Sequence, residues 1–133
     1  MNNKHKSSAN NEAVLDRRFL HMVELLNLYL NHFPNHEKHG LALKIRNVAY
    51  EMYELIVESQ KRYHKKTTLT NLDIKHEQLR MLIRLAFELG YFNFKGKGSE
   101  KSEATGRKRY LAISDKVDEI GRIIGGWIKS QKT

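Results

Sequence analysis

The chain has 133 residues, a formal net charge of +9, 40% hydrophobic and 29% charged residues, and no cysteine. That length suits one compact domain, and the lack of cysteine excludes a disulfide framework and a thiolate metal site. Apolar runs are short and interrupted, so no membrane span is expected; Met1–Lys6 has no apolar stretch after it, so it is not a secretory signal, and a cytoplasmic protein is the default.

Residues 1–11 are polar and rich in Asn, Ser and Lys, and read as a disordered N-terminal tail. Residues 12–130 read as a four-helix bundle. Helix 1, about 12–32, aligns Leu15, Phe19, Met22, Leu25, Leu26, Tyr29, Leu30 and Phe33, and Pro34 marks its end. Helix 2, about 40–64, has a core stripe of Leu41, Ile45, Val48, Ala49, Met52, Leu55, Ile56 and Ser59. A second strip, with Arg46, Tyr50, Tyr53, Val57, Lys61 and His64, mixes basic and aromatic groups. Arg62, Lys65 and Lys66 close the helix, where cations complement the dipole.

Helix 3, about 70–89, opens with a capping spacing from Thr70 to Asp73 and closes at Gly90. Leu72, His76, Leu79, Ile83 and Ala86 face one way, Leu82 and Leu89 widen that face, and Ile74, Met81 and Leu85 carry it almost round the helix. A helix apolar on nearly all sides must be buried on more than one, so a second subunit is expected against helix 3. Glycine, serine and charge make 92–106 a flexible basic loop. Helix 4, about 107–129, carries Ile113, Val117, Ile120, Ile124 and Trp127 on one face. Gly121, Gly125 and Gly126 interrupt it, and each glycine costs a helix roughly 1 kcal/mol relative to alanine. Ser114, Gly121 and Gly125 line one flank, where another backbone can come close; Arg122 projects on the opposite side. Two short links and one longer one predict an all-α, antiparallel up-down bundle.

Catalytic patterns are missing. Lys95–Gly98 lacks the phosphate-loop spacing, no Gly-x-Ser-x-Gly elbow occurs, and no Glu-x-x-His pair supports a di-metal site. His32, His36 and His39 bracket Pro34 without an acidic or thiolate companion at metal spacing, so they read as a polar turn. His76 reads as a hydrogen-bonded interior or interface histidine. No enzyme activity, metal or cofactor is expected.

The basic excess favours polyanionic partners. Residues 41–66 carry net +3, including Lys44, and 92–109 carry net +4. Arg80 and Arg84 support two readings: pairing with Glu77 and Glu88 at helical spacing, or projection toward phosphate or an acidic partner. Lys65–Lys66 and Arg107–Lys108–Arg109 sit at helix ends, which an antiparallel bundle could bring to one rim. Tyr50 and Tyr53 suit base stacking or, more commonly, oligomer packing.

Three blocks carry a resemblance: Gly40–Asn47, Leu79–Gly90, and above all Ile120-Gly-Arg-Ile-Ile-Gly-Gly-Trp127 within Val117–Lys129. Over Phe33–Lys129 the chain resembles the accessory variability determinant (Avd) family of diversity-generating retroelements. The resemblance implies a non-enzymatic, basic four-helix bundle assembling as a pentameric barrel. It also implies binding to the element's reverse transcriptase and to RNA or DNA, in support of mutagenic reverse transcription. The family's basic blocks map onto Arg80, Arg84 and Arg122, which tilts the two arginines of helix 3 toward a functional role. Related bundles encoded in ribosomal-RNA intervening sequences supply the alternative: an RNA-associated role with no reverse transcriptase partner.

Overall fold

The computed structural model describes residues 3–96 and 103–131, with side chains from Glu12 onward. Among the described residues the chain is α1 (Asn3–Leu30), a 3₁₀ turn (Asn35–Glu37), α2 (Leu41–Lys61), α3 (Lys66–Glu88) and α4 (Glu103–Ser130), with no strand.

The apolar stripes close on one another. Leu15, Met22 and Leu26 of α1, Ile45, Met52 and Ile56 of α2, Leu72, Leu79 and Ile83 of α3, and Ile113, Val117, Ile120 and Ile124 of α4 are all buried. Each helix packs on two neighbours, in the order α1, α2, α3, α4 and back to α1. Cross-helix pairs fix the direction. Glu58 and Glu51 of α2 meet Thr68 and Lys75 of α3, and His76 and Phe87 of α3 meet Val117 and Tyr110 of α4. Higher numbers on one helix meet lower numbers on the next, so neighbours run antiparallel.

Helix ends depart from the sequence reading. α1 starts at Asn3, so its backbone is helical through most of the stretch read as a tail; residues 3–11 hold no proline or glycine to stop it. Residues 1–2 lie outside the described residues. α3 starts at Lys66, not at Thr70, because Thr68 and Leu69 are drawn into the core. Thr70 is therefore no cap: its hydroxyl donates to the carbonyl of Lys66, one turn back, at 2.8 Å. α2 stops at Lys61, where Arg62 turns extended (φ −75°, ψ 143°). α4 begins at Glu103, inside the expected loop; buried Gly106 has no Cβ to displace the Asn93 side chain beside it. The middle of that loop, 97–102, lies outside the described residues.

The expected stop at Gly90 is present. Gly90 has φ +79°, its N–H donates to the Phe87 carbonyl at 2.9 Å, and the Tyr91 N–H donates to the Ala86 carbonyl at 3.0 Å. This pair of bonds satisfies carbonyls that the last turn would leave open.

Candidate nucleic-acid and partner interface

The up-down topology sorts the basic residues by end. The α2–α3 turn, with Lys61, Arg62, Lys65 and Lys66, lies at the end where α4 finishes; this is the turn end. The α1–α2 and α3–α4 connections, with Lys44, Arg46, Arg107, Lys108 and Arg109, lie at the other, the link end. α3 separates the ends by its 23 residues, about 34 Å at 1.5 Å per residue. The two basic clusters therefore do not share a rim. Successive links of an up-down bundle alternate between its ends.

Several cations are already engaged. Arg46 Nε and Nη2 donate to the side-chain oxygens of Asn27 (3.0 Å) and Asn31 (2.6 Å), tying α2 to α1. Arg109 donates from Nη1 to the carbonyls of Phe92 (2.8 Å) and Phe94 (2.6 Å), and its guanidinium lies 3.8 Å from the Phe94 ring centre. Arg62 pairs with Glu58 at 3.0 Å. Lys65 turns back and donates to the carbonyls of Ser59 (2.5 Å) and Arg62 (2.7 Å).

Arg80 and Arg84 make the intrahelical pairs. Arg80 grips Glu77 through Nε (2.9 Å) and Nη2 (2.7 Å), and Arg84 lies 3.7 Å from Glu88. The Arg80 hydrogen bonds hold the Glu77 carboxyl below its ordinary range, and Glu77 in turn raises Arg80. Both arginines keep much of their side chains in solvent, so these pairs are weak and exchangeable. Lys61, Lys66, Arg107, Lys108 and Arg122 are exposed and make no ion pair or side-chain hydrogen bond among the described residues. Lys44 is exposed as well, and helps lower the Glu51 carboxyl behind the nearer Lys75.

Two apolar surfaces remain open on different sides of the bundle. The first is a groove between α1 and α2, a cavity of about 540 Å³ lined by Phe19, Leu20, Val23, Tyr50 and Tyr53, with Asp16 and Glu54 at its edge. Tyr53 stacks on Phe19 (5.8 Å, 30°), and Tyr50 and Tyr53 stay about half exposed. Leu20, 57% exposed, belongs to this groove although it lies off the α1 core stripe, so helical period alone does not reveal it. The second surface is the outer stripe of α3, where Ile74, Met81 and Leu85 are each about half exposed.

The small-residue flank of α4 divides. A Cβ on Gly121 would come within 2.5 Å of the His76 ring, whose Nε2 hydrogen-bonds with the Val117 carbonyl at 2.8 Å. Among the described residues nothing lies within 4 Å of a Cβ on Gly125. Trp127 is buried in the core.

The histidine turn has its own structural partners. His32 stacks on Phe94 (4.6 Å, 17°), and His36 packs edge-on to Tyr91. Glu37 accepts from the Leu41 N–H (3.1 Å) at the start of α2 and from the Tyr91 hydroxyl (2.8 Å). Those bonds, the Leu41 amide first, hold its carboxyl below the usual range. Among the described residues no three His, Asp or Glu side chains converge as a metal site, and no helix is long and apolar enough to cross a membrane.

A family model described as bAvd-like matches residues 13–131, from α1 to the end of α4. No curated protein and no solved structure matches the chain.

Proposed function

This chain belongs to the bAvd-like family, and from that premise we propose that it is the accessory scaffold of a diversity-generating retroelement. In this reading it catalyses no reaction. It binds the element's reverse transcriptase and a nucleic acid, and holds them together during mutagenic copying. The observation that carries the reading is a bundle of this family whose net charge is +9 and whose Lys61, Lys66, Arg107, Lys108 and Arg122 face solvent with no partner among the described residues. Cations left free by the fold are available to displace counterions from phosphate, so binding should weaken steeply with salt.

The protomer also leaves the α1/α2 groove and the α3 outer stripe uncovered. Two different patches on one protomer favour head-to-tail contacts, which close into a ring when the rotation allows. A homopentameric ring would repeat each cationic site around an axis and raise avidity without any new contact.

The test is solution mass together with polyanion binding at two salt concentrations. A mass several times 15.6 kDa and salt-sensitive binding are expected. Co-expression with the reverse transcriptase should yield a complex that Arg80→Ala with Arg84→Ala disrupts while the melting temperature holds. A folded protein that stays a single protomer at high concentration and ignores both polyanions and the enzyme would overturn the reading.

A further inference from the structure

We propose that the α2–α3 turn is a docking point for single-stranded nucleic acid, with the ring of Tyr63 as the surface on which one base stacks. The proposal rests on the nucleic-acid reading above and names where, and in what form, the strand is held.

Tyr63 is 90% exposed, whereas the other large exposed apolar side chains lie between 40% and 57%. Those others, apart from Leu89 at the C-cap of α3, sit on helix faces, where an aliphatic or aromatic side chain can be shared with a neighbouring helix. Tyr63 stands in the connection itself. Its only ring contact is edge-on with His64 (4.7 Å, 87°), and its hydroxyl has no hydrogen-bond partner among the described residues. An aromatic ring carries a large apolar surface that folding ordinarily covers. Here folding holds it out.

The turn that carries the ring is clamped. Lys65 donates to the carbonyls of Ser59 and Arg62, and the Arg62 N–H donates to the Glu58 carbonyl at 2.9 Å. The Glu58 carboxylate takes both the Arg62 guanidinium and the Thr68 hydroxyl, joining the end of α2 to the start of α3. Lys65 also supplies positive charge where the carbonyls at the end of α2 would repel a phosphate. With Arg62 and Lys65 committed to the clamp, Lys61 and Lys66 remain, one before and one after Tyr63 in the chain, exposed and without a partner among the described residues. No acidic residue falls within 61–66. The first turn of α3 adds amide donors: its N-cap residue, Lys65, brings no side-chain acceptor to them.

An exposed aromatic face on a clamped turn, flanked in sequence by two cations and followed by uncapped helix amides, matches a nucleotide with its base unstacked and its phosphates on either side. A base inside a duplex offers no free face to such a ring. An acidic peptide would use the cations but not the ring. The preference that follows is for single strands over duplex, tolerant of sequence because stacking reads no hydrogen-bonding edge, and similar for RNA and DNA.

The test titrates the full chain into labelled oligouridylate and oligothymidylate of about 16 nucleotides and into a duplex of the same length, followed by anisotropy. Tyr63→Ala should weaken single-strand binding roughly 5- to 100-fold. Duplex binding and the melting temperature should stay as they were, and Tyr63→Phe should restore affinity. Lys61→Ala with Lys66→Ala should weaken both ligands and lower the salt slope for single strands by about 1.4. A wild-type protein that binds while Tyr63→Ala changes nothing, or weakens duplex and single strand equally, overturns the stacking site and leaves the nucleic-acid reading standing. Failure of Tyr63→Phe to rescue overturns the stacking site as well. A wild-type protein that binds neither ligand defeats both.

Discussion

The two ends of the bundle use the same residue types for opposite purposes. At the link end Tyr29, Phe33, Tyr91, Phe92 and Phe94 meet ring to ring, and Arg109 caps them by binding two carbonyls and the face of Phe94. Aromatic groups there are core, and the cation is a brace. At the turn end Tyr63 is left 90% exposed, and Lys61 and Lys66 have no partner among the described residues. An aromatic residue among cations is therefore not a binding signature by itself. What separates the two cases is whether a second chain segment folds back over the ring. Residues 90–94 do so at the link end, after the Gly90 stop reverses the backbone; the α2–α3 turn is too short to cover anything.

That contrast can be tested by stability. Phe92 is fully buried and touches Tyr29 and Phe33 edge to face. Phe92→Ala should cost about 3–5 kcal/mol by urea unfolding, whereas Tyr63→Ala should stay within about 0.5 kcal/mol of wild type. Equal losses would erase the distinction between the ends.

Cations should show a smaller version of the same split. Arg109→Ala removes two charge-assisted hydrogen bonds and a cation–π contact and should cost about 2 kcal/mol. Arg107→Ala, two positions away and without a partner among the described residues, should be near neutral by the same measurement. A costly Arg107→Ala would mean that the free cations carry structural load after all.

The smallest effect concerns Glu37, also at the link end. Its carboxyl sits below the ordinary value of 4.5 because the Leu41 amide and the Tyr91 hydroxyl favour the charged form. A depressed folded pKa adds stability above the unfolded value and loses it as pH falls through the folded one. The gap between wild type and Glu37→Gln in thermal melts should be open at neutral pH and should close as pH falls below about 4.5. A gap that does not change with pH would show that the carboxylate charge contributes nothing there.

Much of the fold was legible in the sequence. The stripe Ile113, Val117, Ile120, Ile124 and Trp127 is buried, as are Leu15, Phe19, Met22, Leu26 and Leu30. Helical period converts spacing directly into a face, so no tertiary information was needed. The unusual apolar girth of α3 was also legible, and the structure leaves Ile74, Met81 and Leu85 about half exposed on its outer side. The candidate interface was legible only as a set of residue types. Arg46 and Arg109 read like Lys61 and Arg107 on paper, yet the first two brace the fold. Gly121 and Gly125 occupy one flank of one helix, yet among the described residues only Gly121 lies under a side chain.

The sequence alone therefore determined the four helices, their buried faces and the positive charge, because each depends on residue type and on a local period of 3.6. Tertiary structure alone decided which cations and aromatics are used up inside the molecule and which are left to meet a partner. It also set the basic clusters at opposite ends and opened the groove beside Leu20. These properties depend on what a distant part of the chain places opposite each side chain, and residues 15 or more apart, as Arg46 and Asn31 or Arg109 and Phe94 are, carry no local trace of that meeting.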